Sequence, residues 1–231
     1  MRALIHLNRE IFLNIFKFFY RNMVGLATYF QLYEGRTCRY LMCFRQYIED
    51  TKVVVDVGCG AGAFSKALDN GKRLIVALDI QKELLREIRG HNIQRVCADA
   101  HNLPFRTGSI DCVLSLSLIE HLREPERHVE ELYRILMCDG MAIIQLPNLQ
   151  YLFEPHSKWP LLCLLPEQFQ SKVFKTINYP YVNMKVTIKY ALNSLYKAGF
   201  RIIRVMRVYY LGVMKLLPMA PSYIFIAEKT C

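Results

Sequence analysis

The sequence predicts an α/β fold built on a mostly parallel sheet, and two observations carry that prediction. The first is the run Val53-Val-Val-Asp-Val57, whose β-branched residues suit a strand buried on both faces. It passes directly into glycines at alternate positions, Gly58, Gly60 and Gly62, with a short helix expected at once behind them. The second is the succession that follows, in which short apolar strands end in acids or turn residues and alternate with helical stretches.

Each element has its own reason. The glycines remove side chains that would keep a ligand away from the turn after the first strand. Gly58-x-Gly60-x-x-Ala63 satisfies the fingerprint of a dinucleotide site, where a pyrophosphate rests on a helix N-terminus. Asp56, two residues before the first glycine, would repel a diphosphate yet suits a ligand with a cationic amino group. That acid favours S-adenosylmethionine over NAD, with NAD still open at this point. Arg73–Ile80 is a second buried strand ending in Asp79, placed to accept hydrogen bonds from ribose hydroxyls, a feature both cofactors share. Arg95–Ala100 is a short third strand whose Asp99 could meet an adenine amino group. Leu103-Pro-Phe105 and Gly108-Ser-Ile-Asp111 lead into the strand Cys112–Ser117, closed by Ile119-Glu-His-Leu122. A helix from about Pro125 to Met137 then passes through Asp139-Gly140 to the strand Met141–Leu146, ended by Pro147-Asn148.

Taken in order, Asp56-Val-Gly-Cys-Gly-Ala-Gly62, Asp79, Ala98-Asp-Ala100 with Leu103-Pro-Phe105, Ser115–Leu122 and Gly140–Asn148 resemble the motifs of the class I S-adenosylmethionine-dependent methyltransferases, in particular their small-molecule branch. The resemblance is dense over residues 51 to about 150 and resumes at Ala198-Gly-Phe200 and Ser222–Glu228. Each motif is weak alone, and it is their order and spacing that are specific. The resemblance implies a Rossmann-like sheet of seven strands with the last antiparallel and helices on both faces. It implies S-adenosyl-L-methionine as cofactor, S-adenosyl-L-homocysteine as product, and methyl transfer to an oxygen, nitrogen or carbon of a small, apolar or lipid-linked acceptor. The cofactor-binding residues it implies are Asp56, Gly58, Cys59, Gly60, Gly62, Asp79, Ile80, Asp99, Ala100 and Ser115, with Asp56 serving the methionyl amino group through water or backbone.

Length and charge divide the chain. Its 231 residues hold one α/β domain with modest additions. We assign residues 51–231 to that domain, with substrate-side insertions at about 151–190 and 205–221, and residues 1–50 to a helical extension. Residues 51–150 carry 12 Lys and Arg against 13 Asp and Glu, whereas residues 1–50 carry 7 against 4 and residues 151–231 carry 11 against 3. Basic flanks on a neutral module suit an anionic partner: a phosphorylated or carboxylated substrate, an acidic membrane surface or nucleic acid. A surface charge that only sets solubility is the other reading. Against nucleic acid, Ser115-Leu-Ser-Leu118 stands where a base-stacking Asn/Asp-Pro-Pro-Tyr/Phe motif would be. In residues 1–30, Leu4, Leu7, Ile11, Ile15 and Phe18 share one helical face, and charges interrupt every apolar run short of a bilayer span. That helix suits a lid over the site or a contact in a membrane interface.

Eight cysteines show no Cys-x-x-Cys pair and no histidine at ligand spacing, so the reading is small buried hydrophobes of a reduced, cytoplasmic protein with no metal and no disulfide. An oxygen acceptor needs its proton removed, most often by histidine. His121, just past the fourth strand, and His156, in Glu154-Pro-His-Ser-Lys-Trp-Pro160 after the fifth, are the candidates, each set against a purely structural role. Arg36 and Arg39 are candidates for the cofactor carboxylate, set against ordinary surface arginines. A cofactor-fold protein that binds at a membrane surface without catalysis is the rival from another class, and the oligomeric state is not legible.

Overall fold

Strands β1 (Val53–Val57), β2 (Leu74–Asp79), β3 (Ile93–Cys97), β4 (Ile110–Leu116), β5 (Leu136–Pro147), β6 (Phe200–Val208) and β7 (Ser222–Lys229) form one sheet in the order β3-β2-β1-β4-β5-β7-β6. The computed structural model describes residues 33–151, 162–176, 181–209 and 219–231. Strands β1 to β5 run parallel. Strand β7 is antiparallel to both neighbours and sits between β5 and β6, inside the sheet. The seven strands with an antiparallel last one are thus as expected.

Alternation along the strands explains why both faces are covered. Val55 and Val57 of β1 point into one core, and Val54 points into the other. The first core is roofed by α4 (Pro125–Ile135) and α6 (Ile188–Ala198), through Val129, Leu132, Ile135, Ala191 and Leu195. Buried residues of α4 recur at Pro125, His128, Val129, Leu132 and Ile135, the stripe of a half-buried helix. Helix α6 starts where the Thr187 hydroxyl accepts from the Tyr190 amide and stops at left-handed Gly199. The second core takes Tyr40 and Phe44 of α1 (Tyr33–Phe44) against Val54, Leu114, Ile143 and Ile226. Helices α2 (Ala63–Leu68) and α3 (Lys82–Leu85) follow β1 and β2, and α5 (Glu167–Thr176) lies within the expected 151–190 insertion.

Several boundaries differ from the expectation. Helix α4 ends at Ile135 and β5 begins at Leu136, five residues early. Asp139-Gly140 is an irregularity inside β5, where pairing jumps from Ile110–Leu136 to Cys112–Met141 and Asp139 takes a φ of 60°. A Cβ on Gly140 would lie 2.8 Å from the Met137 carbonyl, so glycine is required there. Val205–Val208 extend β6 and do not belong to a separate insertion.

The expectation of eight reduced, buried cysteines is corrected. The register pairing Met141 with Glu228 brings Cys138 opposite Cys231, and the two form a disulfide with Cα atoms 5.4 Å apart. Cys38 and Cys97 are exposed, and Cys112 alone of the free cysteines is buried. A bond between residues 93 apart comes from strand pairing, which spacing along the chain does not reveal. The predicted helix in residues 1–30, His156 with Glu154 and Pro155, the Arg36 side chain and the apolar tract over 210–218 lie outside the described residues. No helix among the described residues is long and apolar enough to cross a membrane.

Candidate functional site

The carboxyl ends of β1, β2 and β4 meet at one edge of the sheet, and the glycine turn lies there. Gly58, Gly60 and Gly62 have φ of 70°, 55° and 74°, a region that L side chains rarely enter. The Leu78 carbonyl shapes the turn by accepting from the Gly58 and Cys59 amides at 2.8 and 3.0 Å. The three glycines differ in what surrounds them. A Cβ on Gly58 would lie 2.8 Å from the Leu118 side chain, and one on Gly62 would lie 2.7 Å from Ile88. One on Gly60 would meet nothing within 4 Å. Gly58 and Gly62 thus serve internal packing, and Gly60 faces open space.

Two carboxylates flank the turn. Asp79, buried at the end of β2, accepts from the Gly60 amide at 2.8 Å through Oδ2 and from the Gln81 amide at 2.9 Å through Oδ1. Each oxygen keeps a further lone pair. Ile80 beside it is 66% exposed, an apolar side chain turned outward. Asp56 is 2% exposed and takes the Ser65 hydroxyl at 2.6 Å. Burial pushes its carboxyl up to about 6, against the opposing Ser65 bonds. Burial also raises the Cys59 thiol, and the Asp56 and Asp79 charges add to it, which makes this cysteine a poor nucleophile.

The segment after β3 is held from below. Asp99 accepts from the His101 amide at 2.9 Å and meets the His101 ring at 2.7 Å, both through Oδ1; the amide bond leads in holding its carboxyl below the usual range. The Ala100 carbonyl accepts from His128 Nδ1 at 3.0 Å. Ser115 is corrected as a cofactor contact: it is wholly buried, and its hydroxyl meets His128 Nε2 at 2.9 Å. Its place on β4 turns it toward α4.

His121 ends a 3-10 turn, Ile119–His121. Its Nδ1 lies 2.8 Å from the Tyr181 carbonyl, which can only accept, so Nδ1 carries the hydrogen and the neutral ring has its lone pair on Nε2. That nitrogen is 3.8 Å from a carboxylate oxygen of buried Glu120. The Arg39 guanidinium donates to the Tyr209 carbonyl at 3.4 Å, next to the end of β6. Among the described residues no cluster of His, Cys, Asp or Glu could hold a metal ion. Open space at Gly60, an acceptor-only carboxylate at Asp79 and exposed Ile80 fit a nucleoside, and the second acid, Asp56, fits a cationic ligand better than a diphosphate.

A family model described as a methyltransferase domain matches residues 55–144. Over 140 residues the chain is 30% identical to an uncharacterized chloroplastic methyltransferase of Arabidopsis thaliana, covering 55% of this chain and 38% of that protein. Over residues 55–144 the chain is thus similar to the S-adenosylmethionine-dependent methyltransferases that its motifs resemble. It is also 34% identical over 105 residues to a tRNA (carboxymethyluridine(34)-5-O)-methyltransferase of Mus musculus, covering 44% of this chain and 15% of that protein. The chain thus spans well under half the length of these curated relatives. A solved S-adenosylmethionine-dependent methyltransferase of Thermotoga maritima shares the fold, with a TM-score of 0.62 and 20% identity over 92% of this chain and 98% of that one.

Three features around this site escaped the sequence. His128 joins β4 to the segment after β3: Nδ1–H donates to Ala100, Nε2 accepts from Ser115, and burial pushes it down to about 4, so it is neutral. The available signal was a histidine on the apolar stripe of α4. Ser117, exposed at the end of β4, has a φ of 54° and donates to Gln145 Oε1 at 2.5 Å. A non-glycine residue in that region is a point of backbone strain. Arg134 and Glu131 of α4 clamp Leu103-Pro-Phe105 through the Leu103 amide and the Leu103 and Phe105 carbonyls.

Proposed function

We propose that the protein is an enzyme that methylates a small apolar or lipid-linked acceptor, with S-adenosyl-L-methionine as the methyl source and S-adenosyl-L-homocysteine as the product. The observation that carries this reading is the open turn at Gly60 set between the carboxylates of Asp79 and Asp56. When bound, the cofactor supplies a methyl group on a positively charged sulfur that leaves as a neutral thioether. Asp79, already oriented by two backbone amides, offers its remaining lone pairs to a ribose diol. Gly60 permits close backbone approach, Ile80 offers an apolar surface to a base, and Asp99 accepts from an exocyclic amino group. Asp56 lies beneath the turn and contributes negative charge for a cationic amino group through water or backbone.

Placement is the protein's main share of the chemistry, because in-line displacement depends on alignment of acceptor and leaving group. His121 is the group suited to take a proton from a hydroxyl acceptor, its ring oriented by the Tyr181 carbonyl. Calorimetric titration with S-adenosylhomocysteine tests the reading. Micromolar binding that weakens tenfold or more in Asp79→Ala, with the melting temperature preserved, supports it, and no binding to the native chain overturns it. An RNA acceptor is the second reading, favoured by the mouse tRNA-methyltransferase relative and the basic C-terminal third. A salt-sensitive gel shift with tRNA would support it.

A further inference from the structure

We propose that the knuckle formed by the 3-10 turn Leu162–Leu164 and α5 docks the protein on an anionic lipid surface beside the acceptor end of the site. From Gln168 to Ala227 the chain contains no Asp or Glu, yet carries Lys172, Lys175, Lys185, Lys189, Lys197, Arg201, Arg204, Arg207 and Lys215. Arg201 of this stretch is paired with Glu228, and the exposed lysines Lys172, Lys175, Lys185, Lys189 and Lys197 give the segment a charge of one sign, suited to a polyanion.

The apolar residues of the knuckle divide into two sets. Leu162 and Phe174 turn inward and join Leu149 and Val182 in a small core of their own. Leu164, Leu165 and Phe169 turn outward, Leu164 at 73% and Phe169 at 57% exposure. The inner set already closes the core, so nothing within the described fold calls for the outer three. Phe169, Lys172 and Lys175 are spaced to share one side of α5, with Lys172 Nζ 5.6 Å from the centre of the Phe169 ring. Exposed Lys185 and Lys189 follow.

Large exposed apolar side chains with lysines on the same helix are the composition of an interfacial contact. The lysines meet acidic headgroups, and the leucines and phenylalanine enter the boundary below them. A nucleic-acid backbone would use the lysines and leave the two leucines without a role. The knuckle is also tied to the acceptor side. The Asn183 amide donates to the Glu120 carbonyl at 2.7 Å, and His121 is held by the Tyr181 carbonyl. Docking would therefore bring the His121 end of the site to the surface where an amphiphilic acceptor resides. That last step rests on the proposed activity, whereas the docking itself does not.

The test uses the full chain and sedimentation with phosphatidylglycerol-containing or pure phosphatidylcholine vesicles. Each variant is also followed by thermal melting and by S-adenosylhomocysteine titration. Binding to the anionic vesicles alone is expected. Leu164→Ser with Phe169→Ser should lower it tenfold or more, as should Lys172→Glu with Lys175→Glu, with melting and homocysteine-nucleoside binding unchanged. No vesicle binding by the native chain overturns the proposal. So does loss in the lysine pair with none in the Leu164/Phe169 pair, which describes a polyanion site such as one for RNA. Vesicle binding that survives both pairs also overturns it and assigns the contact elsewhere, residues 1–30 included. Failure of S-adenosylhomocysteine to bind the native chain would sink the proposed activity and leave the docking result standing.

Discussion

Asp56→Asn isolates the consequence of a buried acid beneath the glycine turn. The native carboxyl is wholly enclosed, accepts one hydroxyl and titrates near 6, against an ordinary value of 3.8. A raised carboxyl pKa means that the fold favours the neutral form. The stability it contributes is full below the ordinary value, declines as pH rises through 6, and is absent above. Two units correspond to about 3 kcal/mol, at most, of stability forgone when the group is ionised. Asparagine keeps an oxygen to accept the Ser65 hydroxyl and cannot ionise. The unfolding free energy of the variant minus that of the native protein should therefore rise between about pH 4 and pH 6 and stay level above. Urea titrations of both proteins across that range, without cofactor, measure the difference. A difference that is flat with pH, or that falls as pH rises, would refute the assignment of a raised pKa to burial. The same variant should bind S-adenosylhomocysteine more weakly at neutral pH, because the charge that favours the amino group is gone. Stability and binding are expected to move in opposite directions.

Other outcomes follow from the same geometry. Gly62→Ala should lower stability by about 1–3 kcal/mol, since its Cβ meets Ile88 and the residue is left-handed. Gly60→Ala should cost about 1 kcal/mol in melting experiments while weakening S-adenosylhomocysteine tenfold or more in calorimetry, and an equal binding loss in both variants would contradict the distinction drawn between them. His128→Ala should cost about 2–4 kcal/mol in urea unfolding, because it opens a cavity and strands the Ala100 carbonyl and Ser115 hydroxyl. Its native pKa is depressed to about 4, so the native protein should lose stability relative to His128→Gln as pH falls from about 6.5 through 4. His121→Ala should reduce kcat on a hydroxyl acceptor about 100-fold with unchanged S-adenosylhomocysteine affinity, and an unaltered kcat would remove it as the base.

Much of the cofactor side was legible because its signals are local. Val53–Val57 reads as a buried strand from five consecutive residues, the glycine turn from the next five, and Asp79 from its place at the end of the following strand. These features need only the short-range geometry of a strand passing into a turn. Ser115 was misplaced because strand alternation settles which face a side chain takes only once the neighbouring layer is known. His128 was missed for the same reason: on the chain it is one more histidine in a charged helix. The Asp139-Gly140 pair reads as a turn by composition, yet pairing with β4 and β7 carries the strand across it.

By itself the sequence determined an α/β chain, the succession of its first five strands along the chain, and a nucleotide-type turn with acids at Asp56, Asp79 and Asp99. It also showed that the positive charge lies outside the cofactor module. Only the tertiary structure decided that Gly60 alone of the three glycines faces open space, since that depends on Leu118 and Ile88 arriving from other elements. Only it joined Cys138 to Cys231, across a strand register set by residues far apart in the chain. Only it separated the inward from the outward leucines of the knuckle. The physical reason is common to all three: backbone conformation follows from neighbours along the chain, whereas what a side chain faces is set by neighbours in space.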